Sequence, residues 1–307
     1  MKKIANADFT LKQSVLCLGK FDGVHAGHRR LLEKVGEICK NQDYHSVAFT
    51  FQLHPNTLFG QGRQKLLTTL REKEILLEQS GIETMIIYPF TRDTASMLPE
   101  EFVENVLVKQ CDVKAIVVGQ DFHFGKNRGG DVKLLQELSA IYGYELYAME
   151  KVCMYDEIVS STRIRHLIMN GNIPMANELL SSPYCFCSKV VKGNQIGRTL
   201  DMPTANQNVP EDKLLPPYGV YASTVMLRGK MYTSVTNIGE KPTIEGNSKV
   251  GIETNIFADL PMFYGEDISV YLHKYIRPEK KFSSLEELKE QMQVDMQTAK
   301  KISEGFL

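Results

Sequence analysis

Short apolar runs and helix-period runs alternate along the chain from residue 15 to residue 148. The runs 15–18, 47–51, 84–88, 115–118 and 145–148 have strand length. Between them Leu31, Leu32, Val35, Ile38 and Cys39 recur at helical spacing, as do Phe102, Val103, Val106 and Leu107 after Pro99. Val132, Leu134, Leu135, Leu138 and Ile141 form a further helical set. Thr69 and Glu72 have capping-box spacing ahead of Ile75, Leu76 and Leu77, and Gly81 stops that helix. Strands alternating with helices restrict this region to a parallel, doubly wound α/β sheet of Rossmann-like form.

Such sheets bind ligands beyond the carboxyl ends of their strands, and three segments fall there. The first is Gly19-Lys20-Phe21-Asp22-Gly23-Val24-His25-Ala26-Gly27-His28, followed by an amphipathic run from Arg29. A helix N-terminus offers unpaired N–H groups and a partial positive charge, which favour phosphate. Glycines let a ligand approach the backbone, and imidazoles add donors. The second is the loop from His54-Pro55, with Gly60 and Gly62. The third, residues 119–131, carries Gly119, Asp121, Phe122, His123, Phe124, Gly125, Lys126 and Arg128. Further on, Ser160, Ser161 and Thr162 can cap a helix. Arg163 and Arg165 in its first turn oppose the helix dipole, which favours an anion nearby.

Near Ser182-Pro183 the pattern changes. Short β-rich runs follow at 184–191, 220–227, 231–236, 250–257 and 268–271, with tight turns between them, as in a small antiparallel barrel. A terminal helix over 283–303 has Leu285, Leu288, Met292 and Met296 on its apolar face and a capping box at Ser284 and Glu287. A chain of 307 residues exceeds what one core usually supports, so we expect domains at 1–182 and 183–307.

Polar groups cluster between the later strands. The segment 197–206 is turn-rich, and its Thr204 and Asn206 offer small oxygen ligands suited to a hard cation. Asn237 opens another loop. Glu253 lies mid-strand between Ile252 and Ile256, where alternation alone reads it as an outward-facing surface residue. Arg277 and Phe282 read either as ligand contacts or as a connector.

Net charge is −1, which gives no sign of a nucleic-acid or membrane partner. No run approaches the roughly 20 apolar residues of a spanning helix, and no apolar stretch follows Lys2 and Lys3. The six cysteines are sparse, and Cys185-x-Cys187 without a second pair is poor zinc spacing. These features predict a reducing cytoplasm, no structural disulfide or zinc, and no obligate protein partner.

A strand, Phe-Asp-Gly-Val-His-x-Gly-His and a later Ser-Ser-Thr-Arg-Ile-Arg resemble the nucleotidylyltransferase superfamily. Gly119-Gln120-Asp121-Phe122-His123-Phe124-Gly125 resembles the FAD synthetase module of the bacterial bifunctional riboflavin kinase/FMN adenylyltransferases. The second half is similar to their riboflavin kinase module: Gly197-Arg198, Pro203-Thr204-Ala205-Asn206, Gly219-Val220-Tyr221, Asn237-Ile238-Gly239, a strand glutamate, then Ile276-Arg277 and Lys281-Phe282.

The resemblance implies that riboflavin is phosphorylated by ATP to FMN, and that FMN is adenylylated by a second ATP to FAD and pyrophosphate. It makes Glu253 the kinase base and Thr204 and Asn206 the Mg²⁺ ligands. Gly193, Gly197, Arg198, Pro203 and Asn237 line the kinase nucleotide site. In the other module Gly19, Phe21, Asp22, Gly23, His25, His28, Ser161, Thr162 and Arg163 bind ATP, with His28 and Arg163 acting on the phosphates. His54, Gly119, Asp121, Phe122, Phe124 and Gly125 hold flavin or nucleotide.

The chain departs from the family at Lys20, usually Asn; at Ser181-Ser182, usually Gly-Arg; at Asp201, usually Gly; and around Cys187-Ser188, where a glycine is usual. Two alternatives stand beside this reading. One is a nucleotidylyltransferase with another acceptor, and the other is a non-catalytic flavin- or nucleotide-binding regulator.

Overall fold

A computed structural model of the chain describes residues 1–40, 42–51, 64–193, 202–241, 249–261 and 263–306. It divides into two compact units. One comprises residues 1–65 and 73–160, the other residues 66–72 and 161–307.

The first unit is built on a parallel sheet of β1 (Lys2–Ile4), β2 (Ser14–Leu18), β3 (His45–Phe51), β4 (Thr84–Tyr88), β5 (Val113–Gly119) and β6 (Glu145–Met149). The strand order is β1-β4-β3-β2-β5-β6. Alternate residues of β2 feed opposite layers, because strand side chains have a period of two. Val15 and Cys17 pack with Leu31, Leu32 and Val35 of α1 (Ala26–Lys40) and with Leu76 and Leu77 of α2 (Leu70–Gln79). Leu16 and Leu18 pack with Phe102, Val103, Val106 and Leu107 of α3 (Pro99–Phe102, continued in π geometry over Val103–Gln110), and with Leu135 and Leu138 of α4 (Val132–Tyr142). Helices therefore cover both faces, which is why the strands are apolar throughout. The chain runs outward from β2 through β3 to β4, then returns to β5 on β2's other side. The order of strands reverses between β2 and β5.

A small hairpin, β7 (Cys153–Met154) and β8 (Glu157–Ile158), follows β6. The strand patterning does not reveal it, nor β1, whose three residues include two lysines.

In the second unit, α5 (Ser161–Met169) and α6 (Ile173–Leu180) precede a closed antiparallel barrel. Its strands are β9 (Tyr184–Val191), β10 (Thr204–Asn208), β11 (Gly219–Leu227), β12 (Lys230–Lys241), β13 (Lys249–Ile256) and β14 (Asp267–Arg277), in the order β10-β13-β12-β11-β14-β9. Asn177 of α6 joins the barrel: its Nδ2 donates to Leu272 O at 2.8 Å and its Oδ1 accepts from Tyr184 N at 2.8 Å. Inside the barrel, Ser223 Oγ meets Ser234 Oγ and Thr236 Oγ1 at 2.7 Å each, and Thr236 meets Thr254 at 2.9 Å.

The terminal helix α7 (Leu285–Ser303) packs on Val220, Ala222 and Val235 through Ala299, Met296 and Ile302. Leu285, expected on that face, is exposed at the helix start. Buried Asp295 takes its place in the interface, gripped by Arg277 with Nη2 at 2.6 Å and Nε at 2.9 Å. Arg277 is thus committed to a structural ion pair.

Candidate active sites

Gly19 follows the carboxyl end of β2 and Gly119 is the last residue of β5, the neighbours between which strand order reverses. This is the crevice where a doubly wound sheet binds ligands. His54 lies outside the described residues, so two of the three expected loops are placed there.

The turn after β2 is tightly wound. Phe21, Gly23 and Val24 all have positive φ, at 49°, 92° and 42°. A β-branched residue in that region is a strained exception, held here by complete burial of Val24 and Phe21. Helix α1 starts at Ala26, earlier than the Arg29 run suggests. His25 therefore caps it, its Nδ1 accepting the His28 N–H at 3.4 Å. Accepting there leaves the proton of the neutral imidazole on Nε2. The His25 and His28 rings stack at 3.8 Å between centroids. A side chain at Gly27 would press on the His25 ring at 3.2 Å.

Burial pushes His25 down to about 4, with Asp22 opposing the shift. Burial also pushes His28 well below its ordinary value, helped by His25 and Lys73. Both shifts favour the neutral ring. His28 Nδ1 is buried without a hydrogen-bond partner.

Lys73, unremarked in the sequence, belongs to this turn. Its Nζ donates to Lys20 O at 2.7 Å. Burial lowers its ammonium to about 8, with Asp22 opposing. A lysine in the second turn of an amphipathic helix carries no signal of this role. The Lys20 side chain itself is exposed.

In the loop after β5, Phe124 and Gly130 exchange backbone hydrogen bonds at 3.0 Å. Phe124 is buried against Phe102, so its ring serves the core, while the Phe122 ring stacks on it at 5.7 Å. Gly125, at φ 71°, lies where a Cβ would strike the Pro99 backbone at 2.8 Å. Asp121 pairs with Lys151 at 2.9 Å, which holds its carboxyl below the usual range. Ser161, Thr162 and Arg163 form the first turn of α5 and belong to the second unit.

The barrel gathers the other candidates. Asn206 pairs with Glu253, and Glu253 with Asn237, across β10, β13 and β12. Directly paired residues share a sheet face, so the three side chains form one polar row. It lies on the face opposite buried Ile252 and Thr254. Alternation thus places Glu253 correctly on the outer face of its strand, but not among solvated neighbours. Gly193 completes the corner, since a Cβ there would lie 2.5 Å from the Asn206 amide. Asn237 Nδ2 donates to Glu279 Oε1 at 3.3 Å. The strand β10 occupies residues expected to be turn-rich. A cavity of about 110 Å³ opens beside Pro203 and Thr204, lined also by Val190, Ile256, Leu260 and Tyr264. Gly197, Arg198 and Asp201 lie outside the described residues.

Residues 8–163 match the FAD synthetase family and residues 180–303 the riboflavin kinase family. The bifunctional riboflavin kinase/FMN adenylyltransferase of Escherichia coli K12 is 37% identical over 289 residues, covering 93% of this chain and 91% of that protein. The chain belongs to the bifunctional riboflavin kinase/FMN adenylyltransferase family. The relative from Bacillus subtilis is 34% identical over 292 residues, covering 94% of this chain and 92% of its own. The crystal structure of a macrolide-efflux protein from Streptococcus pneumoniae matches with a TM-score of 0.85 at 28% identity, covering 98% of this chain and 99% of that one. Among the described residues, no helix is long and apolar enough to cross a membrane.

Against this family, one departure has a structural reading. Ser181 caps α6 in the left-handed conformation, φ 55°, where the family usually has glycine.

Proposed function

We infer that the chain makes FAD from riboflavin in two steps. ATP phosphorylates riboflavin to FMN, and a second ATP adenylylates FMN, releasing pyrophosphate. The match of both family domains, in order, carries this reading. The domain at 1–182 is assigned the adenylyl transfer and the domain at 183–307 the phosphorylation.

In the first step Glu253 is the general base, taking the proton from the 5′-hydroxyl of the ribityl chain as that oxygen attacks the γ-phosphorus of ATP. Its neighbours support the role. Asn206 and Asn237 flank it in one row and supply polar contacts for hydroxyl and phosphate oxygens. Gly193 keeps the backbone close to Asn206, as a phosphate-facing corner requires.

Thr204 and Asn206 would hold Mg²⁺. The donor set fits, being one hydroxyl and one amide oxygen, both hard ligands for a small hard cation. Bound there, the ion would neutralise phosphate charge and orient the transferred group.

In the second step the FMN phosphate attacks the α-phosphorus of ATP. The attacking group is already an anion, so catalysis consists of positioning and charge stabilisation. His25 and His28, at the start of α1, donate to the phosphate oxygens as charge passes to pyrophosphate. The neutral His25, accepting on Nδ1 and so carrying its proton on Nε2, supports a donor role. Asp121 and Phe122 hold flavin or nucleotide. We place the enzyme in the cytoplasm, with riboflavin, FMN and ATP as its small-molecule partners.

The two-site assignment is tested with variants. His28→Ala stops the chemistry at FMN. Glu253→Ala blocks FMN formation but still adenylylates supplied FMN. Loss of both reactions in either folded variant contradicts separate sites.

A further inference from the structure

Cys185 and Cys187 look unsuited to metal in the sequence, because Cys-x-Cys has no second pair. The fold brings a third group to them. Glu72, 115 residues before Cys187, accepts the Cys187 N–H on Oε1 at 3.1 Å. Among the described residues, β10 pairs with β9 at Val190 and Val191 alone, and the Cys187 N–H goes to this carboxylate instead. The two sulfurs and a Glu72 oxygen lie within 4.8 Å of one another. Glu72 and Cys185 are buried, and Cys187 is partly exposed.

We propose that Cys185, Cys187 and Glu72 form a binding site for a thiophilic divalent cation of the zinc class. Three observations carry it. The ligand types are right, with two thiolates and a carboxylate leaving a fourth position for water. The charges balance: two thiolates, the Glu72 carboxylate, the Lys213 ammonium 2.6 Å from Glu72 Oε2, and a dication sum to zero. The outer contacts are in place, since Ser269 Oγ lies 2.9 Å from Cys187 Sγ and Lys213 fixes the carboxylate. Glu72 Oε1 keeps a lone pair beyond the one facing Cys187 N–H.

A disulfide fits less well. In an extended strand, residues i and i+2 have Cα atoms about 6.8 Å apart, at the upper limit for a bridge. A tetrahedral metal needs only a sulfur–sulfur separation of roughly 3.8 Å, given metal–sulfur bonds of about 2.3 Å. Binding replaces the two thiol protons with metal–sulfur bonds and releases both protons to solvent. No electron transfer is involved.

The test uses the full chain, reduced and stripped of metal, titrated with Cd²⁺. One equivalent should raise the ultraviolet thiolate-to-cadmium charge-transfer band and protect two thiols from a disulfide-exchange reagent. Zn²⁺ should erase the band by competition. The Cys185→Ser/Cys187→Ser variant keeps side-chain size and should lack the band, although Cys39 and Cys153 remain. Glu72→Gln should weaken binding by roughly 10-fold or more, since loss of outer-sphere partners alone costs about 10–100-fold. Should Glu72→Gln fail to fold, the double-serine variant decides. A band unchanged in that variant, no band in the native chain, or ready oxidation of the pair to a disulfide with no metal uptake overturns the proposal.

Discussion

Glu253 and Asn206 face each other directly across β13 and β10. Their pairing joins the proposed base to a buried residue whose amide a Cβ at Gly193 would strike at 2.5 Å. Asn206→Ala should therefore impair riboflavin phosphorylation while leaving adenylylation of supplied FMN unchanged. Loss of the Mg²⁺-dependent positioning it is assigned should appear as a higher Mg²⁺ requirement. An unchanged Mg²⁺ titration would remove Asn206 from the metal site.

Lys73 puts a cation behind the Gly19 turn, bonded to Lys20 O. Lys73→Met should lower FMN adenylylation by about 10²-fold, the usual effect of losing one stabilising donor in such a site. Riboflavin phosphorylation should be unaffected. Lys73→Arg should restore part of the rate. Steady-state rates of the two half-reactions, measured separately, check this.

Much of the first unit was legible because buried parallel strands are apolar end to end and their crossover helices are periodic. The barrel was legible less completely. Strand β10, Thr-Ala-Asn-Gln-Asn, has no apolar alternation, since Ala205 is its one apolar residue, Asn206 belongs to the outer row and Gln207 is buried. The row Asn206, Glu253 and Asn237 depends on strand register, which residue spacing along the chain does not encode. The Glu72–Lys213 pair joins residues 141 apart; Glu72 alone reads as the capping-box partner of Thr69, and Lys213 alone carries no signal of the pair. The histidine turn was found because its glycines and histidines are adjacent in sequence. Lys73 was missed because only the fold brings α2 to that turn.

The Glu72–Lys213 pair is fully buried at 2.6 Å. Burial works to lower the Lys213 ammonium, yet Glu72 and Tyr184 outweigh it and hold it above its ordinary value. Removing one partner strands the other charge. Lys213→Met should cost about 3–5 kcal/mol in chemical denaturation. The double variant Lys213→Met/Glu72→Gln should lose less than the sum of the two single losses.

Ser181 holds the left-handed cap of α6. Ser181→Gly relieves that backbone, offset by glycine's greater freedom when unfolded, for a net gain of about 0.5–1 kcal/mol. Thermal unfolding should show a higher midpoint with both activities intact.

His273 is buried, stacked on Phe306 at 4.1 Å, with Nε2 2.9 Å from Thr224 Oγ1. Burial lowers its imidazole from 6.5 to about 4. The unfolded chain takes up this proton first as pH falls, so stability is full above about 6.5 and declines toward 4. Denaturation of a His273→Gln variant across that interval should show a shallower decline. An identical slope would assign the acid sensitivity elsewhere.

The central claim is that one chain performs both transfers. It is tested most directly by supplying riboflavin, ATP and Mg²⁺ to the purified protein and separating the flavins by chromatography over time. FMN should form first and FAD should follow at its expense. Recovery of riboflavin alone under conditions where the protein is folded would contradict the account, and FMN with no FAD would contradict its adenylyl-transfer half.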